Sequence, residues 1–338
     1  MISSTKNLKQ SIIDYCAHIG TDHLLVQGAG GNVSWKDGDT LWIKASGTWL
    51  AEALEKDIFV PVNLHHLKNA IRSGDFTVTP ILHGESALRP SIETLLHALM
   101  PHRVVVHLHA IEVLAHLVRE NCQADFMALL NSSVHWTIVE YYKPGAELAA
   151  AVSTALAQMK NADVIFLKNH GVVIGGADIA EVANTLETLI TSLSTSPVGI
   201  CHNTLPNLPA EIGHCNQYTR VQDAEIQQLA LNPELFKRLD IDWALYPDHL
   251  VFLGARASAY KTWGTFVGEH EQPELIFILG QGVFAKPTFN KAKHAQLRCY
   301  YDVIVRQNQN SSIKVLSNAH IAELLNWDAE QYRQLIAK

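Results

Sequence analysis

The sequence has 338 residues, of which 48% are hydrophobic, so it is long enough for one large domain or two ordinary ones, each with a buried core. Its formal net charge of −7 argues against a general nucleic-acid-binding surface. It excludes no small anionic substrate, because a few local donors can override the global field. Eighteen histidines are many for this length and favour metal or proton-transfer chemistry.

The cysteines and the apolar runs indicate the compartment. The five cysteines are scattered, so the sequence predicts no disulfide framework. The N-terminal segment is amphipathic, unlike a signal peptide, and no apolar run approaches the ~18 residues of a membrane span. We therefore expect a cytoplasmic protein with neither a membrane nor a nucleic-acid partner. Two Cys-His pairs, at residues 201–202 and 214–215, have a spacing that is rarely suitable for a second zinc site.

The first predicted elements in chain order are a helix, a short strand and a hairpin. Apolar residues recur at helical spacing over residues 8–19, and a strand-like run follows at residues 23–27. Asp-Gly at residues 37–38 predicts a hairpin between residues 33–35 and 41–43.

A glycine cluster at residues 28–31 precedes this hairpin. A dinucleotide-binding fingerprint would need a further glycine at the position of Val33, followed by a helix instead of a hairpin. That interpretation therefore fails. Both a plain tight turn and an anion-binding nest of backbone N–H groups remain compatible with the cluster.

The remainder of the chain alternates predicted strands and helices. Further strands are predicted at residues 58–62, 104–107, 137–142, 164–167, 172–176, 249–253 and 274–279. Further helices are predicted at residues 50–54 (a single turn), 92–100 with Ser91 as N-cap, 108–118, 147–158, 179–193 and 223–229, with two more near the C-terminus; residues 64–73 form a loop or a short helix.

A polar, proline-containing segment at residues 194–219 predicts the main domain boundary. We expect residues 1–200 to form one domain, and residues 201–338 to comprise a linker and a small C-terminal α/β domain.

Two histidines end the strand that begins with the valines at residues 104–106. His107 and His109 are two positions apart, which in a strand places both imidazoles on one face. Such a pair either caps a half-buried strand or begins a zinc site. His170 follows a second buried strand and offers a third nitrogen, and three protein ligands with an open fourth position are typical of catalytic zinc.

Five short segments follow one another in a specific order. They are Gly31-Asn32-Val33-Ser34, Ile43-Lys44-Ala45-Ser46-Gly47, Pro90-Ser91-Ile92-Glu93-Thr94 with His97, His107-Leu108-His109, and Asn169-His170-Gly171-Val172-Val173. Together, over residues 8–195, they resemble the class II aldolase/adducin family, whose members include zinc-dependent fuculose- and rhamnulose-phosphate aldolases. The resemblance implies a three-layer α/β/α sandwich with a mainly antiparallel central sheet, to which a smaller C-terminal α/β unit is added. It also implies a homo-oligomer, namely a tetramer.

The resemblance assigns roles to individual residues. It implies that His107, His109 and His170 bind Zn²⁺ or another divalent metal, and that Glu93 is the general acid/base. The residues expected to bind the substrate phosphate are small or carry hydrogen-bond donors: Gly31, Asn32, Ser46, Gly47 and Ser91. Without the resemblance, a helix-dipole role for Glu93 and a capping role for Ser91 would account for both residues.

The implied activity is that of a zinc-dependent lyase. It would cleave or form a C–C bond in a phosphorylated ketose or related sugar acid through a metal-stabilised enediolate. A dehydratase or decarboxylase acting on a sugar-acid phosphate would use the same chemistry. A non-catalytic, adducin-like scaffold is a third possibility, but all three histidines and the glutamate are retained.

Some positions depart from the family pattern or lack an assignment. Ile92 stands where the aldolases often carry a second serine, so one phosphate donor is missing. The aldolases also use a second proton donor, which does not align with a particular residue of this sequence; residues 140–142 (Glu-Tyr-Tyr) are candidates for it. His83 is a minor site candidate, whereas His97 and His116 are interpreted as structural.

Overall fold

The computed structural model of the protein describes residues 2–198, 206–207, 217–267, 272–308, 311–325 and 327–336. These residues form two β-sheets that are surrounded by helices. No helix among them is both long enough and apolar enough to cross a membrane.

A seven-stranded sheet forms the centre of the N-terminal part. Its strands are β1 Asn32–Asp37, β2 Thr40–Lys44, β3 Phe59–Asn63, β4 Val104–Leu108, β5 Trp136–Val139, β6 Val164–Leu167 and β7 Gly171–Gly176. The order across the sheet is β3-β2-β1-β4-β7-β6-β5. All neighbouring pairs are antiparallel except β5 with β6. The predicted mainly antiparallel sheet is therefore confirmed.

Helices cover both faces of this sheet. They are α1 Ile2–Gly20, α2 Leu64–Ser73, α3 Thr94–Leu99, α4 Ile111–Leu117, α5 Cys122–Leu129, α6 Ala146–Gln158 and α7 Ile179–Leu193, together with a 3₁₀ turn at Leu50–Glu52. Side chains alternate along β4, so Val104 and Val106 pack towards α1, α4 and α7, while Val105 packs towards α3 and α6. The three-layer α/β/α arrangement follows from this alternation. His107 shares the face of Val105.

The C-terminal part contains a second, smaller sheet. Its strands are β8 Thr219–Arg220, β9 Ala259–Tyr260, β10 Leu275–Ile278 and β11 Gly282–Ala285, in the order β8-β11-β10-β9. Its helices are α8 Gln228–Leu231, α9 Pro233–Ile241, α10 Pro247–Leu253, α11 Trp263–Val267, α12 Lys291–Ile304, α13 Asn318–Leu325 and α14 Asp328–Ile336. One hydrophobic core joins α12 to α1, α4 and α7 of the first part. The division at residue 200 therefore stays a prediction.

Two predicted strands were wrong. Residues 23–27 form turns, in which the N–H groups of Leu25 and Val26 both bond to the Asp22 carbonyl at 3.0 Å. Residues 249–253 belong to α10, because Pro247 occupies the first turn with a φ that suits a helix. A short apolar run that is buried on all sides does not by itself distinguish a strand from a helix.

Some helix bounds also differ from the prediction, and one open assignment is resolved. α3 begins at Thr94 instead of residue 92, and the Ser91 hydroxyl accepts the Glu93 N–H at 3.2 Å. α8 is shorter than the predicted helix at residues 223–229 and begins later. Residues 64–73, left open between loop and helix, form α2.

Candidate active site

The three predicted metal-binding histidines lie together in the interior. One ring nitrogen from each of His107, His109 and His170 lies within 4.8 Å of the other two. The Nε2 atoms of His107 and His109 are 3.2 Å apart. The Nδ1 of His107 lies 3.1 Å from the Val172 carbonyl of the adjacent strand, so its Nε2 faces the cluster. All three rings are buried.

The turn after β6 positions His170 through its two neighbours. Asn169 has a φ of +53°, a left-handed conformation that asparagine tolerates better than most residues. Its side-chain amide donates to the carbonyls of Leu245 at 2.8 Å and Lys314 at 2.6 Å. A Cβ at Gly171 would lie 2.4 Å from the Leu108 carbonyl oxygen, so only glycine fits against β4 here. The Asn-His-Gly sequence is thus explained by packing.

Glu93, the residue immediately before α3, faces the histidine cluster. Its Oε2 lies 3.5 Å from Nε2 of His107, and its Oε1 lies 3.5 Å from Nε2 of His170. Asn32 donates its side-chain amide to Oε2 at 2.8 Å. Burial raises the pKa of the Glu93 carboxyl, but the imidazoles and the Asn32 amide outweigh burial and lower that pKa to about 2. Glu93 is therefore a carboxylate at neutral pH.

A hydrogen-bonded chain behind Asn32 includes His97, which the sequence interpretation treated only as structural. His97 is fully buried, and burial lowers its pKa to about 3, so the ring is neutral. The Ser34 hydroxyl bonds to Nδ1 at 2.7 Å, and Nε2 bonds to the Asn32 side-chain oxygen. A neutral ring satisfies both partners when Nε2 carries the proton. His97 follows Glu93 by four positions, and this helical spacing was the signal that could have revealed it.

A cavity opens beside the histidines. It is lined by Ala29, Gly31, Asn32, Lys44, Ser46, Gly47, Ser91, Ile92, Glu93, His109, Pro144, His170, Pro247, Asp248 and Glu330. All five residues expected at the substrate phosphate therefore lie on its wall, next to Glu93 and two of the histidines. His107 is buried immediately behind them.

Three charged residues of the cavity wall were given no role from the sequence. Lys44 ends β2, is 2% exposed, and donates to the Ala29 carbonyl at 3.2 Å. The position of this lysine between the hairpin strand and the Ala45-Ser46-Gly47 turn was a signal for it. Asp248 and Glu330 come from α10 and α14 of the C-terminal part and are equally buried. No local pattern indicated these two residues, since only the tertiary fold brings them to the cavity.

Other sequence candidates lie outside this lining. His83 is exposed, 3.5 Å from the Asp39 carbonyl. Glu140 pairs with Lys168 at 2.7 Å, and Tyr141 packs against His320. His116 bonds to Asp125 at 2.8 Å, in agreement with a structural role. The Cys-His pairs at residues 201–202 and 214–215 lie outside the described residues.

Three buried histidines and a carboxylate lie together at a mainly antiparallel sheet of an α/β/α fold. They define a candidate metal-dependent active site. Comparison with known proteins gives the family. Residues 10–196 match the model described as the class II aldolase and adducin N-terminal domain. This match covers more than half of the chain, which therefore belongs to the class II aldolase/adducin family.

The chain is also similar to individual proteins. The L-fuculose phosphate aldolase of Methanocaldococcus jannaschii is 28% identical over 188 residues, which span 54% of this chain and 91% of that protein. The uncharacterized oxidoreductase YuxG of Bacillus subtilis is 25% identical over 174 residues, 47% of this chain but only 25% of that relative. Among solved structures, the N-terminal class II aldolase domain of a conserved Thermoplasma acidophilum protein is 24% identical with a TM-score of 0.46, over 54% of this chain and 90% of that one.

Proposed function

We propose that this protein is a divalent-metal-dependent lyase of the aldolase type, which cleaves or forms a C–C bond in a phosphorylated ketose or related sugar acid. The observation that carries the proposal is the placement of the Glu93 carboxylate 3.5 Å from both His107 and His170. The family match and the aldolase relative support it.

The residues fit the metal that the family implies. Three buried imidazoles with nitrogens within 4.8 Å of one another form a donor set that suits Zn²⁺ and related divalent ions. His107, His109 and His170 would hold the ion and leave a coordination position open. When bound, the metal supplies Lewis acidity towards the carbonyl and hydroxyl oxygens of the substrate.

Glu93 then moves the proton. In the direction of synthesis its carboxylate takes a proton from the carbon next to the substrate carbonyl, and the oxygen of the aldehyde takes up a proton as it becomes a hydroxyl. In the direction of cleavage that hydroxyl loses its proton, and Glu93 returns a proton to the carbon, so the two transfers balance. Asn32 keeps the carboxylate oriented through its 2.8 Å hydrogen bond, and His97 in turn holds Asn32. Because Glu93 is 6% exposed, bulk water has little access to its carboxylate.

Serine and glycine residues of the cavity wall suit an anionic substrate group. Ser46 and Ser91 offer hydroxyl donors, and the backbone at Gly31 and Gly47 turns with φ of +64° and +80°. Lys44 adds a positive charge to this wall. In our proposal Lys44 replaces the phosphate donor that is lost because Ile92 stands in place of a serine.

Incubation of metal-loaded protein with a panel of ketose phosphates and sugar-acid phosphates tests the reaction. Aldol cleavage yields an aldehyde and a shorter ketone, whereas a dehydratase releases water and a decarboxylase releases CO₂. Product analysis by NMR therefore separates the proposal from its alternatives, with E93Q as the inactive control. Turnover of none of these substrates, despite a full metal content, would favour the scaffold alternative.

Assembly and location are part of the same proposal. We place the protein in the cytoplasm as a homo-oligomer, namely a tetramer, with a phosphorylated sugar as its small-molecule partner. Light scattering coupled to size-exclusion chromatography measures the oligomeric state, and a monomer would contradict it.

A further inference from the structure

α10 brings a carboxylate from the C-terminal part of the chain to the histidine cluster. Asp248 is 1% exposed, and its Oδ2 lies 3.5 Å from Nδ1 of His109. The same oxygen lies 3.3 Å from the side-chain amide of Gln296 on α12, which donates to it. The family match ends at residue 196, so both side chains belong to the part of the chain beyond it.

The two ring nitrogens of His109 have different surroundings. Nε2 faces Nε2 of His107 at 3.2 Å, inside the cluster, whereas Nδ1 faces Asp248. On a metal-binding histidine, the nitrogen that does not bind the metal commonly donates its N–H to a carboxylate or carbonyl, which fixes the tautomer and the ring orientation. The Val172 carbonyl occupies this position for His107.

The glycine cluster at residues 28–31 gives independent support. A Cβ at Gly30 would lie 3.1 Å from Oδ2 of Asp248 and 3.2 Å from Nδ1 of His109. A larger residue would therefore crowd the contact between these two side chains. Gln27, just before the cluster, donates to the His109 carbonyl at 3.4 Å, and its own carbonyl accepts from Gln296 at 3.3 Å. Gln27 thus connects His109 to α12 through hydrogen bonds.

We propose that Asp248 is a positioning residue of the metal centre: its carboxylate accepts the Nδ1–H of His109 and so keeps Nε2 available for the metal. The distance of 3.5 Å is long for a hydrogen bond, but such contacts commonly tighten when a ligand completes a site. The inference rests on the proposed function, because it requires a metal at the histidines. It makes the C-terminal part a component of the active site.

Metal affinity tests the inference without any assay of activity. Apo protein is titrated with Co²⁺ while its visible absorption is recorded, and Zn²⁺ is then added in competition. We expect D248N to bind about 10- to 100-fold more weakly than the wild type, and D248E to recover part of the loss. D242N is the matched control, since Asp242 is another buried aspartate of the C-terminal part and pairs with Arg238 at 2.8 Å; its affinity should stay at the wild-type value.

The outcomes separate the two proposals. If the wild type binds no stoichiometric metal, the proposed function and the inference both fail. If the wild type binds metal and D248N binds with the same affinity and spectrum, only the role of Asp248 is overturned. Should D248N fail to fold, ¹H–¹⁵N NMR of the zinc-loaded wild type decides. A downfield-shifted, slowly exchanging Nδ1–H of His109 shows a hydrogen bond to a carboxylate and supports the inference, whereas a proton on Nε2, or an Nδ1–H with the shift of an unbonded imidazole, overturns it.

Discussion

Asn32 donates its side-chain amide to the Glu93 carboxylate at 2.8 Å, although the two residues are 61 positions apart. The sheet makes this contact possible, because Asn32 on β1 pairs with His107 on β4. The residue that orients the carboxylate is thus aligned with one that would bind the metal. Asn32 was expected at the substrate phosphate; its amide is used, at least in part, to hold Glu93.

Replacement of the Glu93 carboxylate should separate proton transfer from metal binding. E93Q keeps the size of the side chain but removes its capacity to accept a proton, so we expect kcat to fall by about 10²- to 10⁴-fold. The three histidines remain, so the metal content should stay at the wild-type level. Kinetics and metal analysis of the same sample measure both quantities. E147Q, at an exposed position on α6, is the control, and an E93Q variant with near-normal kcat would exclude Glu93 as the base.

Removal of the metal should abolish activity reversibly. We expect a chelator to inactivate the protein and Zn²⁺ to restore it, whereas H107A should stay inactive after metal is added. A metal that binds only the folded state also stabilises the protein, by about 4 kcal/mol when the free metal is 1,000-fold above its Kd. Thermal unfolding with and without chelator measures this effect. H135A serves as the control because that side chain is 50% exposed, and equal effects of chelator on wild type and H107A would contradict the assignment.

Lys44 should determine the affinity for the anionic group of the substrate. Charge-assisted hydrogen bonds contribute about 1.5–3 kcal/mol, so K44M should raise KM for a phosphorylated substrate by about 10- to 100-fold. The effect on kcat should be smaller, because Lys44 is assigned no proton to move. K44R should retain part of the affinity, and K56M, at an exposed lysine, should behave as wild type. An unchanged KM in K44M would place the anionic group elsewhere.

His249 should make the fold sensitive to acid. Burial lowers the pKa of this fully buried ring to about 3, so the folded state excludes a proton that the unfolded chain binds below about pH 6.5. His249 therefore costs the fold almost no free energy of unfolding above pH 6.5, and this free energy decreases as the pH falls from 6.5 towards 3. Between pH 7 and pH 5 this one group removes about 2 kcal/mol from the free energy of unfolding.

Urea unfolding of metal-free wild type and H249F at the two pH values measures this difference. Other groups titrate equally in both proteins, so the comparison isolates His249. We expect the wild type to lose about 2 kcal/mol more than H249F between pH 7 and pH 5. Identical losses in the two proteins would show that His249 is already protonated in the fold or still neutral in the unfolded chain.

Local sequence patterns predicted most of the central sheet. The three valines of β4 and the two-residue spacing of His107 and His109 follow from the alternation of a strand, which places both imidazoles on one face. The Asp-Gly hairpin between β1 and β2 was equally local. Residues 249–253 were assigned the wrong element because a short buried apolar run does not distinguish strand from helix.

The sequence by itself determined the alternation of elements, the one face shared by two histidines, and the motif order that resembles the family. Only the tertiary structure brought His170 and Glu93 to that face and placed Asp248 behind His109. These contacts join residues that are far apart along the chain. Their geometry therefore depends on how strands pair and how α10 and α12 pack, which local propensity and periodicity do not encode.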